Sequence, residues 1–119
     1  MEELGDVDLK GTSTALSILL MAALLETGGD AVIRTALRAP NPFLKAAFFT
    51  VAAVILFTYG YVVNLPSWDF GRLLGIYIVF FFVVAQILSW AVFHQQPSRA
   101  ILFGGALIVT GGIIISVNR

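Results

Sequence analysis

Apolar residues fill four long stretches of this chain, and short polar segments separate the stretches. They cover about residues 13–38, 43–64, 70–93 and 99–117. A helix of about 20 apolar residues crosses the hydrocarbon core of a bilayer, and each stretch is close to or above that length. The pattern therefore predicts an all-α membrane protein, with four transmembrane helices in a single domain over residues 13–119.

The segments between the stretches are rich in residues that end or begin helices. Residues 1–12 form a polar, acidic N-terminal segment, which we interpret as a solvated tail. Because this segment is acidic and not basic, it differs from a secretory signal peptide, and we expect the first helix to be retained. The sequence Ala39-Pro40-Asn41-Pro42 is expected to end the first helix.

Composition agrees with this class and excludes others. The 119 residues are 59% hydrophobic and only 12% charged, whereas a soluble domain carries roughly 25% charged residues. Mean hydropathy is +0.95. The chain has no cysteine and one histidine, so no thiolate or histidine cluster for a metal is expected. Nothing indicates a nucleophile with its base, and we predict no enzyme activity, no cofactor and no nucleic acid partner.

Glu26 is the most informative residue, because it lies inside an apolar stretch. A charge near the middle of a membrane helix costs a few kcal/mol unless it faces protein or water. Glu26, Asp30 and Arg34 follow one another at steps of four and share one helix face. One interpretation is that Asp30 and Arg34 neutralise each other near the helix end, while Glu26 only forms a hydrogen bond to a neighbouring helix. Glu26 has no basic residue one turn away, which favours proton or substrate binding.

Two further polar residues lie in the third stretch. Tyr77 and Gln86 could each form a hydrogen bond to a neighbouring helix, or could line a cavity opposite Glu26. Tyr59 and Tyr61, near the end of the second helix, are interpreted as anchors at the membrane interface. His94 is expected to be a solvated loop residue.

The fourth stretch carries a stripe of small residues, which is typical of close helix–helix contact. Gly105 and Gly112, with Ile108 between them, could pack against another helix of the same chain. We predict a subunit interface instead, because four helices of so small a chain enclose little volume. Lysine and arginine are nearly balanced between the two sides, so the chain is predicted to insert in both orientations and to form an antiparallel homodimer. The counted residues are Lys10, Arg72 and Arg119 on one side, and Arg38, Lys45 and Arg99 on the other, with Arg34 added to the second side if its side chain extends to the headgroups.

Three segments resemble the small multidrug resistance family of the drug/metabolite transporter superfamily. These are Leu25-Glu26-Thr-Gly-Gly29, the run Leu88-Ser-Trp-Ala-Val-Phe93 before a polar turn, and the glycine-rich fourth helix. Gly71-Arg72 followed by Tyr77, together with Gly105-Ala-Leu-Ile-Val-Thr-Gly-Gly, resembles the YnfA-type branch most. Bulky Val79 and Phe81 stand where the typical exporters carry glycine.

The resemblance implies a proton-coupled exporter of small cationic or polar molecules that works by alternating access as a homodimer. Glu26 would then bind protons or substrate, with Tyr77 and Gln86 nearby, and Gly29, Asp30 and Arg34 in support. The implied location is the cytoplasmic (inner) membrane of a bacterium or archaeon. Two alternatives are a non-transporting structural or assembly subunit of a membrane complex, and a lipid-carrier flippase subunit of the same superfamily.

Overall fold

Four helices account for nearly all of the described chain. The computed structural model describes the backbone of residues 2–117 and the side chains of residues 11–117. The helices are α1 (Glu2–Leu37), α2 (Pro42–Val63), α3 (Phe70–Phe93) and α4 (Arg99–Val117). Each contains a segment that is long and apolar enough to cross a membrane. The prediction of an all-α protein with four transmembrane helices is therefore confirmed.

The first helix begins well before its apolar part. The apolar segment is Gly11–Leu37, whereas helical backbone starts at Glu2, within the segment that the sequence suggested was a tail. Residues 2–10 contain no proline, and extending an existing helix is much easier than nucleating a new one. Met1, the Lys10 side chain and Arg119 lie outside the described residues, so the charge balance that counts the last two stays a prediction.

Local signals in the sequence explain where the other helices begin and end. Asn41 caps α2, since its Oδ1 accepts a hydrogen bond of 2.8 Å from the backbone N–H of Leu44, and Pro42 occupies the first helical position. Helix α3 ends at Phe93, and the next residue, His94, adopts a left-handed conformation with φ of 57°. The hydroxyl of Ser98 accepts from the N–H of Ile101 at the start of α4.

The helices pack in the spatial order α2, α1, α3, α4. Helix α1 contacts both α2 and α3, and α4 contacts α3. The buried core lies where the first three helices meet. It contains Leu19, Ala22 and Ala23 of α1, Val63 of α2, and Leu73, Ile76 and Tyr77 of α3.

Small residues allow α1 to occupy the central place in this arrangement. A Cβ atom added at Gly29 would lie 2.6 Å from Cδ2 of Leu56 on α2, which is closer than real Cβ atoms approach a neighbour. Ala15, Ala22 and Ala36 continue the pattern at intervals of seven residues, and all three are buried. The role of Gly29 is therefore close helix packing beside Glu26.

Two glycines of α4, Gly105 and Gly112, also make close contacts within the chain. A Cβ at Gly105 would lie 2.5 Å from Cε2 of Phe82, and one at Gly112 would clash with Val79, both on α3. Ile108, between them, is half-buried. In this arrangement the glycine stripe is covered by the chain's own α3 and is not an open face. Gly105 and Gly112 thus pack within the chain in this structure.

An arginine connects the start of α3 to the end of α4. Arg72 Nη2 donates a hydrogen bond of 3.2 Å to the carbonyl oxygen of Ser116 in the last turn of α4. Its guanidinium carbon lies 4.9 Å from the centre of the Trp68 ring. A cation at a helix C-terminus interacts favourably with the exposed carbonyl groups. Arg72 therefore holds α4 against α3.

Candidate functional site

The Glu26 carboxylate is bound to a tyrosine of another helix in the interior of the bundle. Tyr77 of α3 donates its hydroxyl hydrogen to Oε1 of Glu26, with an O···O distance of 2.6 Å. Such a short distance is typical of a hydroxyl that donates to a charged oxygen. Tyr77 is only 4% exposed and Glu26 is half-buried. The structure thus brings together two residues that the sequence singled out separately.

A second tyrosine completes this cluster, and the sequence had suggested another role for it. The ring centroids of Tyr59 and Tyr77 are 5.8 Å apart, and Tyr59 is half-buried, so it is not an anchor at the membrane interface. Tyr61 is 67% exposed, as expected of an anchor. Tyr59 lies seven residues after Ala52 and four before Val63, both buried, and this spacing places all three on the buried face of α2.

The two ends of the site differ in polarity. On the side nearer Gly11, the apolar core around Leu19 and Ile76 closes the space between α1 and α3. On the opposite side, a cleft of about 190 Å³ lies between these helices. Its lining includes Thr27, Asp30 and Arg34 of α1, and Phe81 and Ser89 of α3. Polar groups therefore continue from the neighbourhood of Glu26 toward the α1–α2 and α3–α4 connections.

Asp30 and Arg34 do not form the ion pair that their spacing permits. Both side chains are exposed and both line the cleft. The Arg34 guanidinium carbon instead lies 5.3 Å from the centroid of the Phe93 ring on α3, a cation–π arrangement. Mutual neutralisation of Asp30 and Arg34 is therefore not the arrangement seen among the described residues.

Gln86 lies away from the Glu26 site. It lines a separate cleft of about 420 Å³ on the α4 side of α3, together with Trp90, Gln96 and Leu102. Tyr77 and Gln86 are nine residues apart, about two and a half helical turns, which places them on opposite faces of α3. Because Tyr77 points at Glu26, Gln86 points away, and the prediction that it lines a cavity opposite Glu26 is wrong.

The chemistry of the site rests on one carboxylate and two phenols. Among the residues that the structure describes, no three His, Cys, Asp or Glu side chains come close enough to hold a metal ion. A half-buried carboxylate can take up or release a proton, and it attracts cations. The two phenol rings beside it present faces that attract cations as well.

Fold and site together define a small multi-pass membrane protein with a carboxylate–phenol pair in its helical bundle. The chain belongs to the YnfA/UPF0060 family: the family model described as "Uncharacterised BCR, YnfA/UPF0060 family" matches residues 13–119. This match covers all four apolar helices and confirms the YnfA-type resemblance.

Curated relatives from three bacteria carry the same family name. A UPF0060 membrane protein of Clostridium beijerinckii is 32% identical over 98 residues, which cover 81% of this chain and 86% of the relative. One from Desulfitobacterium hafniense is 28% identical over 98 residues, covering 82% and 88%. One from a Synechocystis species is 28% identical over 101 residues, covering 85% and 91%. No solved structure matches the chain.

Proposed function

We propose that this protein is a proton-coupled exporter of small cationic or polar molecules in a bacterial cytoplasmic (inner) membrane. The single observation that carries the proposal is the Glu26 carboxylate, which lies inside a membrane-spanning helix and accepts a hydrogen bond of 2.6 Å from Tyr77. Acidic groups at such depth are expensive, and in membrane proteins they mark ion and substrate pathways. No structural ion pair explains Glu26 among the described residues.

In the proposed cycle, Glu26 binds either a proton or the cationic group of a substrate. A cation that enters the site favours the ionised carboxylate, so the proton leaves. A proton that arrives from the other side of the membrane removes the charge that holds the cation, and the cation is released. Tyr77 keeps Oε1 in a fixed place, and the rings of Tyr77 and Tyr59 attract the cation through their faces.

Alternating access requires the site to open toward each side of the membrane in turn. The described conformation has an apolar core on one side of Glu26 and a polar cleft on the other, and this asymmetry supports the proposal of two such states. We propose that two copies in antiparallel orientation supply the second half of the transporter, each with its own Glu26. Gly105 and Gly112 do not serve as the contact between copies in this proposal.

Transport into vesicles tests the role of Glu26. Glu26→Gln keeps the volume and hydrogen-bonding capacity of the side chain and removes the titratable group. We expect the variant to fold and to lose movement of substrate that depends on a pH gradient. Glu26→Asp should keep transport and change its pH optimum. Gln86→Glu is a useful control, because it adds a carboxylate on the opposite face of α3 and should not restore coupling to Glu26→Gln.

The same assay separates the proposal from its rivals. An assembly subunit would show no transport in any variant, and its Glu26→Gln form would instead lose a protein partner. A flippase subunit would move lipid carriers without needing the carboxylate. A Glu26→Gln protein that responds to the pH gradient as the parent does would remove Glu26 from the mechanism.

A further inference from the structure

A larger cleft opens at the end of the bundle that carries the α1–α2 and α3–α4 connections. It encloses about 430 Å³. Three helices contribute to it: Arg34 and Arg38 lie at the end of α1, Phe48 lies on α2, and Phe93 and Gln95 lie at the end of α3. The Arg34–Arg38 cleft, as we name it, is therefore bounded by the three helices that form the core.

The cleft results from the way α2 and α3 diverge. Within the described residues both helices contact α1, and their backbones do not contact each other. Their side chains meet at Tyr59 and Tyr77, near the short connection between them. At the far ends Phe48 and Phe93 stand on opposite walls of the cleft. The space between these walls is open above α1.

The charged groups around this cleft are positive. Its lining includes two guanidinium groups and, among the side chains that the structure describes, no carboxylate. Arg38 Nη1 donates a hydrogen bond of 3.3 Å to the carbonyl oxygen of Arg34, which uses one of its five N–H groups. The guanidinium of Arg34 lies over Phe93. Asp30 lines the adjoining, deeper cleft and does not pair with Arg34.

We propose that the Arg34–Arg38 cleft binds a phosphate group. Guanidinium groups bind phosphate oxygens through paired N–H bonds. Arg34, in the last turn of α1, and Arg38, just after the helix, both line this cleft. Arg34 is three residues before the end of α1 at Leu37, so the cleft lies at the depth of the lipid headgroups. Phospholipid phosphates are the anions most concentrated there, and soluble phosphate is the other source of the same group.

The walls of the cleft favour a phospholipid, and not soluble phosphate, as the molecule that supplies the phosphate group. Phe48 and Phe93 offer apolar surface on both sides of the charged floor, which suits the glycerol and the upper part of an acyl chain. An anionic headgroup adds to the attraction because no positive group accompanies its phosphate. The proposal concerns Arg34 and Arg38 only, and it stands whether or not Glu26 couples protons to transport.

Lipid retention by the purified full-length chain in neutral detergent tests this site. Native mass spectrometry would measure binding of phosphatidylglycerol and phosphatidylcholine, and thermal unfolding would measure the response to inorganic phosphate. The test variant is Arg34→Gln with Arg38→Gln. The matched control is Lys45→Gln with Arg99→Gln, which removes two exposed charges from the same end of the bundle but outside the cleft.

The parent should bind phosphatidylglycerol about tenfold more tightly than phosphatidylcholine, because the net negative charge of phosphatidylglycerol attracts the two guanidinium groups and the choline cation of phosphatidylcholine repels them. The double variant should lose that preference and the control should keep it. Arg38→Gln alone leaves the contact between Arg34 and Phe93 intact, and should lose about threefold in affinity; it replaces the double variant if the latter does not fold.

The outcomes separate the two sources of phosphate. Stabilisation by inorganic phosphate in the parent but not in the variants would show that the cleft takes soluble phosphate. A preference for phosphatidylglycerol without that stabilisation would assign the site to a lipid. Equal lipid binding and equal phosphate response in the parent and the arginine variants would overturn the proposal. So would an equal loss in the Lys45 and Arg99 control.

Discussion

The hydrogen bond between Tyr77 and Glu26 makes a quantitative prediction, because removing the Tyr77 hydroxyl leaves the ring and its packing in place. Tyr77→Phe deletes a donor 2.6 Å from a half-buried carboxylate. A hydrogen bond to a charged group contributes about 1.5–3 kcal/mol, so the free energy of unfolding in detergent micelles should fall by about that amount. The measurement is a denaturant titration in which tryptophan fluorescence reports the unfolded fraction.

A double-mutant cycle isolates the pair from other effects of the substitutions. Glu26→Met keeps a similar volume and removes both oxygens, so the Tyr77→Phe change should cost little in that background. The coupling free energy between the two positions should be about 1.5–3 kcal/mol. Tyr61→Phe is the matched control, since Tyr61 is 67% exposed on α2 and its hydroxyl should contribute almost nothing. A Tyr77→Phe protein as stable as Tyr61→Phe would refute the assignment.

Three further predictions follow from residue placement. Gly112→Ala should lower the unfolding temperature, because the new Cβ would clash with Val79. Gly111→Ala has nothing within 4 Å of the new Cβ and should raise the free energy of unfolding by about 0.5–1 kcal/mol. Equal effects of the two substitutions in thermal unfolding would contradict the contact between α3 and α4. Gln86→Met should leave pH-driven transport unchanged, and a loss comparable to Glu26→Gln would return Gln86 to the site. Cysteines introduced at residues 94–98 should react with an impermeant maleimide from both sides of the membrane. Two lysines added beside Arg99 should restrict labelling to one side. Labelling from one side only, in the cysteine variants without added lysines, would exclude dual insertion.

The sequence predicted the parts of this molecule that depend on one helix at a time. Four apolar stretches and their proline-containing breaks were enough for the four helices, since hydrophobicity and helix-ending residues act locally. Glu26 stood out for the same reason, because a carboxylate inside an apolar stretch is visible in the sequence whichever helices surround it. The early start of α1 was missed, since a polar segment can continue a helix that apolar residues have nucleated.

What the sequence could not supply is which helix each face meets. Tyr59 and Tyr61 look equivalent in composition, and only the order α2, α1, α3 turns Tyr59 toward Tyr77. The glycines of α4 fit a contact with another subunit as well as one with α3, and periodicity cannot choose between these partners. The nine-residue interval between Tyr77 and Gln86 did contain the answer, once Tyr77 was placed beside Glu26. The contact between Arg72 and Ser116 had no signal in the sequence.

Exchange of a proton for a cation at Glu26 can be measured as proton release from detergent-solubilised protein when a cation is added. The cations would form a panel of increasing size: guanidinium, tetramethylammonium and tetraphenylphosphonium, each followed with a pH indicator in weak buffer. The parent should release protons on binding at least one of them, Glu26→Asp should also release protons, and Glu26→Gln should release none. Equal proton release from the parent and Glu26→Gln would contradict the account, because the exchanged proton would then belong to another group.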